Sequence, residues 1–126
     1  MTRETHSTPN APSAIGPYSQ AVRASGSFLF CSGQISLTPE GTLVEGDVRA
    51  QTEQVMKNIG GLLESAGLGF DNIAKTTIFM SSMDNFTTVN EVYSSYVGES
   101  PPARSTVAVA GLPKNVDVEI EVVAVY

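Results

Sequence analysis

Pro102-Ala103-Arg104-Ser105-Thr106-Val107-Ala108-Val109-Ala110, answered by Val118-Glu119-Ile120-Glu121-Val122, is the stretch on which the reading of this chain turns. One arginine opens an apolar strand, and two glutamates stand inside the next. Between them Gly111-Leu112-Pro113-Lys114-Asn115 has the Gly/Pro/Asn composition that lets two strands return on each other. Charge set into apolar β-sequence is costly unless it is paired or used. The pair of strands therefore marks a candidate site as well as a fold.

Upstream, the hydrophobic period changes twice. Val48, Val55, Ile59, Leu62, Leu63 and Ala66 share a helical face, with Asp47 as N-cap and Gly67 as the stop. Gly60-Gly61 inside that helix is expected to pack closely on a sheet. Ile73 to Met80 reads as a strand. Asp84 is expected to cap a second helix with Phe86, Val89, Val92, Tyr93 and Tyr96 as its stripe, ended by Pro101-Pro102. Before the first helix, Gln20 to Ala24 and Phe28 to Ser32 read as strands joined by a Ser25-Gly26-Ser27 hairpin loop. Ile15-Gly16-Pro17 forms a turn that presents Tyr18, and Gly33 ends or bulges its strand.

The order is strand, strand, helix, strand, helix, strand, strand, an α+β pattern in which two helices cover one sheet face. In the last strand Val118, Ile120, Val122 and Ala124 share one face, and Glu119, Glu121, Val123 and Val125 the other. That second face is half apolar with no helix left to cover it, which predicts a homo-oligomer.

A length of 126 residues suits a single domain spanning 1–126, with 1–10 expected as a flexible arm because Pro9 and Pro12 discourage regular structure. The composition, 41% hydrophobic and 16% charged, is that of a globular chain. A net charge of −6 without a basic run argues against nucleic-acid binding. No apolar run reaches the roughly 20 residues of a membrane span. The polar N-terminus lacks a signal peptide's apolar core, and a lone cysteine fits a reducing compartment, so a cytoplasmic location is expected.

Several mechanisms are disfavoured. The only histidine, His6, lies in the expected arm, away from any Ser-His-Asp or Cys-His pattern, and one Cys with one His makes no zinc-type cluster. Cys31 reads as a small buried hydrophobe, Lys75 as a solvated edge lysine, and Tyr93 and Tyr96 as core packing. Arg104 has the fork that suits a carboxylate, or alternatively makes a structural ion pair with Glu119 or Glu121. Glu119 is the acid–base candidate able to hold a water. The residues by themselves lead to a small anion-binding oligomer compatible with hydrolysis.

Ala11-Pro12-Ser13-Ala14-Ile15-Gly16-Pro17-Tyr18-Ser19-Gln20-Ala21 and Ser32-Gly33-Gln34-Ile35 resemble the opening of the RidA/YjgF family of reactive-intermediate deaminases. Lys75-Thr76-Thr77-Ile78-Phe79, Val89-Asn90, Pro102-Ala103-Arg104-Ser105, Leu112-Pro113-Lys114 and Glu119-Ile120-Glu121 resemble the rest, so the likeness runs from about Ala11 to Val125. The resemblance implies a chorismate-mutase-like α+β fold, a homotrimer with clefts between subunits, and no cofactor or metal. It implies hydrolysis of 2-imino acids such as 2-iminopropanoate and 2-iminobutanoate to 2-keto acids and ammonia. These imines and their enamine tautomers are products of pyridoxal-phosphate-dependent dehydratases. By position, Arg104 would bind the substrate carboxylate, Glu119 would position the attacking water, and Tyr18 would help close the pocket. Ser32, Gly33 and Asn90 would line the cleft.

Thr106 stands where many members have a cysteine, so thiol-based activities do not carry over, while its backbone can still contact substrate. Ile35-Ser36 likewise replaces the frequent Ile-Pro. The alternatives in the same fold are a non-catalytic sensor of 2-keto or imino acids and a deaminase of a different, pathway-specific imine or enamine.

Overall fold

The computed structural model describes residues 2–126. Six strands and two helices run in the order β1 (Thr2–His6), β2 (Ala21–Ser25), β3 (Phe28–Gln34), α1 (Val48–Ser65), β4 (Ile73–Met80), α2 (Phe86–Val97), β5 (Ala103–Ala108) and β6 (Val118–Val125). The main sheet is mixed and four-stranded, in the order β3-β6-β4-β5. It is the α+β arrangement expected from the pattern, with both helices on one face.

Helix α1 begins and ends where its sequence signals stand. Asp47 Oδ1 accepts from the Ala50 amide at 2.9 Å. At the other end Gly67 turns out of the helix at φ +74°, its amide donating to the Glu64 carbonyl. Val55, Met56, Ile59 and Leu63 of α1 and Val89, Val92, Tyr93 and Val97 of α2 bury against Ile78 and Met80 of β4 and Val118, Ile120, Val122 and Ala124 of β6. The alternation in β6 thus sorts its faces as its sequence predicts. Cys31 is buried in the same core, where burial pushes its thiol pKa up.

Five expectations are corrected. First, β5 and β6 do not pair: β5 lies parallel to β4, and β6 inserts antiparallel between β3 and β4. Parallel neighbours need a crossover, and α2 supplies it, while the loop after β5 crosses the end of β4 through Val109 N to Met80 O and Ser81 N to Asp117 O. Lys75 is therefore exposed on a central strand rather than an edge.

Second, within the expected arm, whose first residue lies outside the described ones, Thr2–His6 form strand β1, which pairs antiparallel with β2 as a separate ribbon. Arg3 ties it to the Ile73 and Ser100 carbonyls at 2.7 Å each, and the Gln20 amide staples the loop through Thr8 and Pro12. Third, the β2–β3 hairpin does not form, because β2 is held by β1. Fourth, Asp84 does not cap α2. It lies inside a short 3-10 turn over Met83–Asn85, which Ser82 caps by accepting from the Asp84 amide. Fifth, Gly60 meets the Phe70 ring rather than the sheet, and Gly61 faces open space.

The second sheet face carries Phe28, Phe30, Lys75, Phe79, Val107, Glu119 and Glu121, and no helix covers it. Phe30 is 77% exposed there.

Candidate active site

Arg104 opens β5 opposite Thr76 of β4, on the face covered by the helices. Its Nη1 donates to Asn90 Oδ1 at 2.6 Å. The guanidinium lies 5.5 Å from the Tyr18 ring centroid, 5.8 Å from Phe86 and 5.4 Å from Tyr93. Phe86, Asn90 and Tyr93 recur at i, i+4 and i+7 on α2, so a single helical stripe builds the bed of the arginine. Three rings around one cation favour the charge by about 0.5–2 kcal/mol each.

Burial lowers the Arg104 pKa, and a guanidinium remains charged throughout the physiological range. Among the described residues no carboxylate pairs with Arg104; the ion pair found is Arg49 with Glu91 on the helix surface. The structural pairing of Arg104 with Glu119 or Glu121 does not form within the chain. A half-buried cation without an anion among the described residues is suited to a planar anionic ligand.

Tyr18 reaches Arg104 from a tight turn in which its amide donates to the Gly16 carbonyl at 2.8 Å. Its hydroxyl accepts from the Ile15 amide at 3.3 Å. Thr106, two residues beyond Arg104 and facing Ile78, shares the same sheet face. Its Oγ1 is buried without a hydrogen-bond partner.

Glu119 faces Phe79, three positions along β4 from Thr76. An odd offset in a strand reverses the face, so Glu119 lies on the uncovered side of the sheet, opposite Arg104. Beside it the β3 bulge at Ser32–Gly33 brings backbone so close that a Cβ on Gly33 would stand 2.2 Å from Glu119 Oε2. Only glycine leaves room for that carboxylate. Gly33, Phe79, Leu112, Glu119 and Glu121 line a depression of about 360 Å³. Ser32, the neighbour of Gly33 in the chain, is exposed and does not line it.

The predicted residues therefore form two clusters. Arg104, Tyr18, Asn90 and Thr106 stand on one side of the sheet; Ser32, Gly33 and Glu119 stand on the other. Phe86 and Tyr93, which pattern reading assigns to packing, also form the arginine's platform. Their spacing from Asn90 is the signal that points to them. No group of metal ligands occurs among the described residues.

Residues 8–126 match the family model described as Endoribonuclease L-PSP. The chain belongs to the RidA/YjgF family. A mouse relative of this family, named 2-iminobutanoate/2-iminopropanoate deaminase, is 47% identical over 98% of this chain and 91% of its own. The YjgF protein of E. coli is 43% identical, with 97% of this chain and 98% of that one covered and a TM-score of 0.74. YyfB of Yersinia pestis, a Rid family protein of unknown function, is 28% identical with complete coverage of both chains, and superposes better, at a TM-score of 0.92. The family's small α+β fold, with its mixed sheet and two helices, is the fold found here. No described helix is long and apolar enough to cross a membrane.

Proposed function

We propose that this protein hydrolyses 2-imino acids, including 2-iminopropanoate and 2-iminobutanoate, to 2-keto acids and ammonia, without a cofactor. The observation that carries this reading is Arg104, a half-buried cation on an aromatic bed with no anion of its own. A 2-imino acid brings a carboxylate one bond from an electrophilic carbon, so anchoring the carboxylate also places the reacting centre. The names of relatives such as the mouse deaminase point to the same chemistry.

Water adds to C2 of the imine, and the resulting amino alcohol expels ammonia to leave the ketone. Glu119 orients that water and moves its proton toward the departing nitrogen, Tyr18 closes over the carboxylate, and Ser32, Gly33, Asn90 and Thr106 line the cleft. An iminium carbon needs orientation and one proton shuttle, not a strong nucleophile. Because Arg104 and Glu119 lie on opposite sheet faces, the complete site combines the arginine cluster of one copy with the glutamate cluster of another. A homotrimer with three such interfaces satisfies this, and it also covers the exposed apolar face. The net charge of −6 speaks against an endoribonuclease reading of the family description.

The test is the decay of freshly generated 2-iminobutanoate and 2-iminopropanoate, with wild type beside Arg104→Ala. Wild type accelerates decay, and the variant loses about 100-fold or more in kcat/KM, as expected when one partner of a desolvated charge pair is removed. No acceleration by folded wild-type protein sinks the deaminase and favours a binding-only sensor. An unimpaired variant removes the carboxylate role.

A further inference from the structure

Resting on the water-orienting role proposed above for Glu119, we infer that α1 positions that carboxylate. Its row of amide side chains, Gln51, Gln54 and Asn58, pins both strands that enclose it.

The three amides recur at i, i+3 and i+7, one stripe of the helix beside its apolar face. Gln51 is buried and the other two are half-buried, positions where an amide is costly unless bonded. Here they are bonded to two segments far away in the chain. Gln51 Nε2 donates to Asp117 Oδ2 at 3.0 Å, and Gln51 Oε1 accepts from the Asp117 amide at 2.8 Å. Asn58 Nδ2 donates to the Leu37 carbonyl at 2.7 Å and to the Ile35 carbonyl at 3.2 Å. Gln54 Nε2 donates to Asn58 Oδ1 at 2.9 Å, which fixes the way the Asn58 amide points.

Asp117 stands two residues before Glu119, and Ile35 two residues after Gly33. The remaining polar atoms of Asp117 are held by Ser81, whose Oγ donates to Oδ1 at 2.8 Å and whose amide donates to the carbonyl at 3.0 Å. Ser81 and Asp117 continue the register that sets Phe79 opposite Glu119, so this clamp fixes where Glu119 lies along β4. The turn before it carries Lys114 and Asn115 at φ 55° and 56°, left-handed conformations that relax unless the chain beyond them is held.

On the opposite wall, the ladder between β3 and β6 is interrupted between Cys31 and Gln34. Strand pairing therefore does not fix Gly33 against Glu119, and the Asn58 bonds just beyond the bulge do so instead. The fit there is tight enough, with no room for a Cβ on Gly33, that a shift of either wall moves the carboxylate. None of the three amides lines the depression, so they are positioning residues and not catalytic ones. Helix α2 beds Arg104 through its own stripe, and α1 thus serves the other cluster from across the sheet.

The test compares Asn58→Ala and Asp117→Ala with Ile59→Val, which weakens the core on the same helix. At a temperature where all are folded, the first two are expected to lose roughly 10- to 100-fold in kcat for the imines, with KM within about twofold. Ile59→Val is expected to keep its kcat. In a Glu119→Gln background the same two substitutions are expected to cost about twofold or less, because the group they position is gone. Equal losses in both backgrounds make the pins merely structural and overturn the proposal, as does a matching loss in Ile59→Val. Should Asp117→Ala misfold, Ser81→Ala removes a single bond of the clamp and takes its place. Backbone amide NMR gives a readout independent of turnover. The Gly33 and Glu119 signals are expected to shift in the pin variants while those of Asn90 and Arg104 stay, and unmoved Gly33 and Glu119 signals overturn the positioning. Shifted signals in a protein whose wild type hydrolyses neither imine would leave the positioning standing and defeat the deaminase reading; turnover with unmoved signals would do the reverse.

Discussion

Arg104 was marked by its sequence because a charge inside an apolar strand needs a purpose, and the structure leaves it without an anion. Thr106 carried no comparable mark. Its significance lies in one atom, a buried hydroxyl with no partner, and the burial of a single atom is decided by packing alone. A buried unsatisfied polar group costs about 1–3 kcal/mol. Thr106→Val, nearly the same shape, is therefore expected to raise Tm by a few degrees. If the hydroxyl bonds the ligand, the variant also raises KM for the imine about tenfold, equivalent to roughly 1.4 kcal/mol. Thermal unfolding and steady-state kinetics on the same preparation check both; a higher Tm with KM unchanged would confine Thr106 to backbone contacts.

Among the elements, α1 was legible at both ends because capping is local chemistry, readable from Asp47 and Gly67. The start of α2 was not, since a 3-10 turn intervenes and Asp84 lies within it. What holds α2 to the sheet was also hidden: the Tyr93 hydroxyl shares a 2.8 Å hydrogen bond with Thr76 Oγ1 of β4. Burial pushes the Tyr93 pKa from 10 up to about 12. Between those values the unfolded chain loses its proton while the folded chain keeps it, so stability falls as pH rises through that window. That difference corresponds to about 3 kcal/mol. Urea unfolding from pH 9 upward is expected to show this loss, and Tyr93→Phe is expected to flatten the slope. An equal slope in both proteins would assign the alkaline transition to other groups.

For the whole molecule, the decisive fact is that Arg104 and Glu119 occupy opposite faces of one sheet. A site needing both must draw on two copies. Arg104→Ala and Glu119→Gln, each inactive alone, are therefore expected to complement when unfolded together and refolded as mixed oligomers. Random assembly leaves about a quarter of the sites with both natural residues, because the isologous or cyclic interface takes one residue from each side. Turnover near that fraction supports the shared site, and no recovery in a verified mixed oligomer rejects it.

The layer pattern, the inward face of β6 and the limits of α1 are legible in the amino-acid order, because periodicity and capping act over a few neighbouring positions. Which strands are neighbours emerges only in the folded chain. The Gly/Pro turn after Ala110 suggested a hairpin, yet β4 lies between β5 and β6, and Ser25-Gly26-Ser27 opens outward instead of turning back. Strand order depends on pairings between residues far apart in the chain, and loops of similar composition serve either outcome. That same order set the arginine and the glutamate on opposite faces of one sheet, which is why the proposed site draws on a second copy.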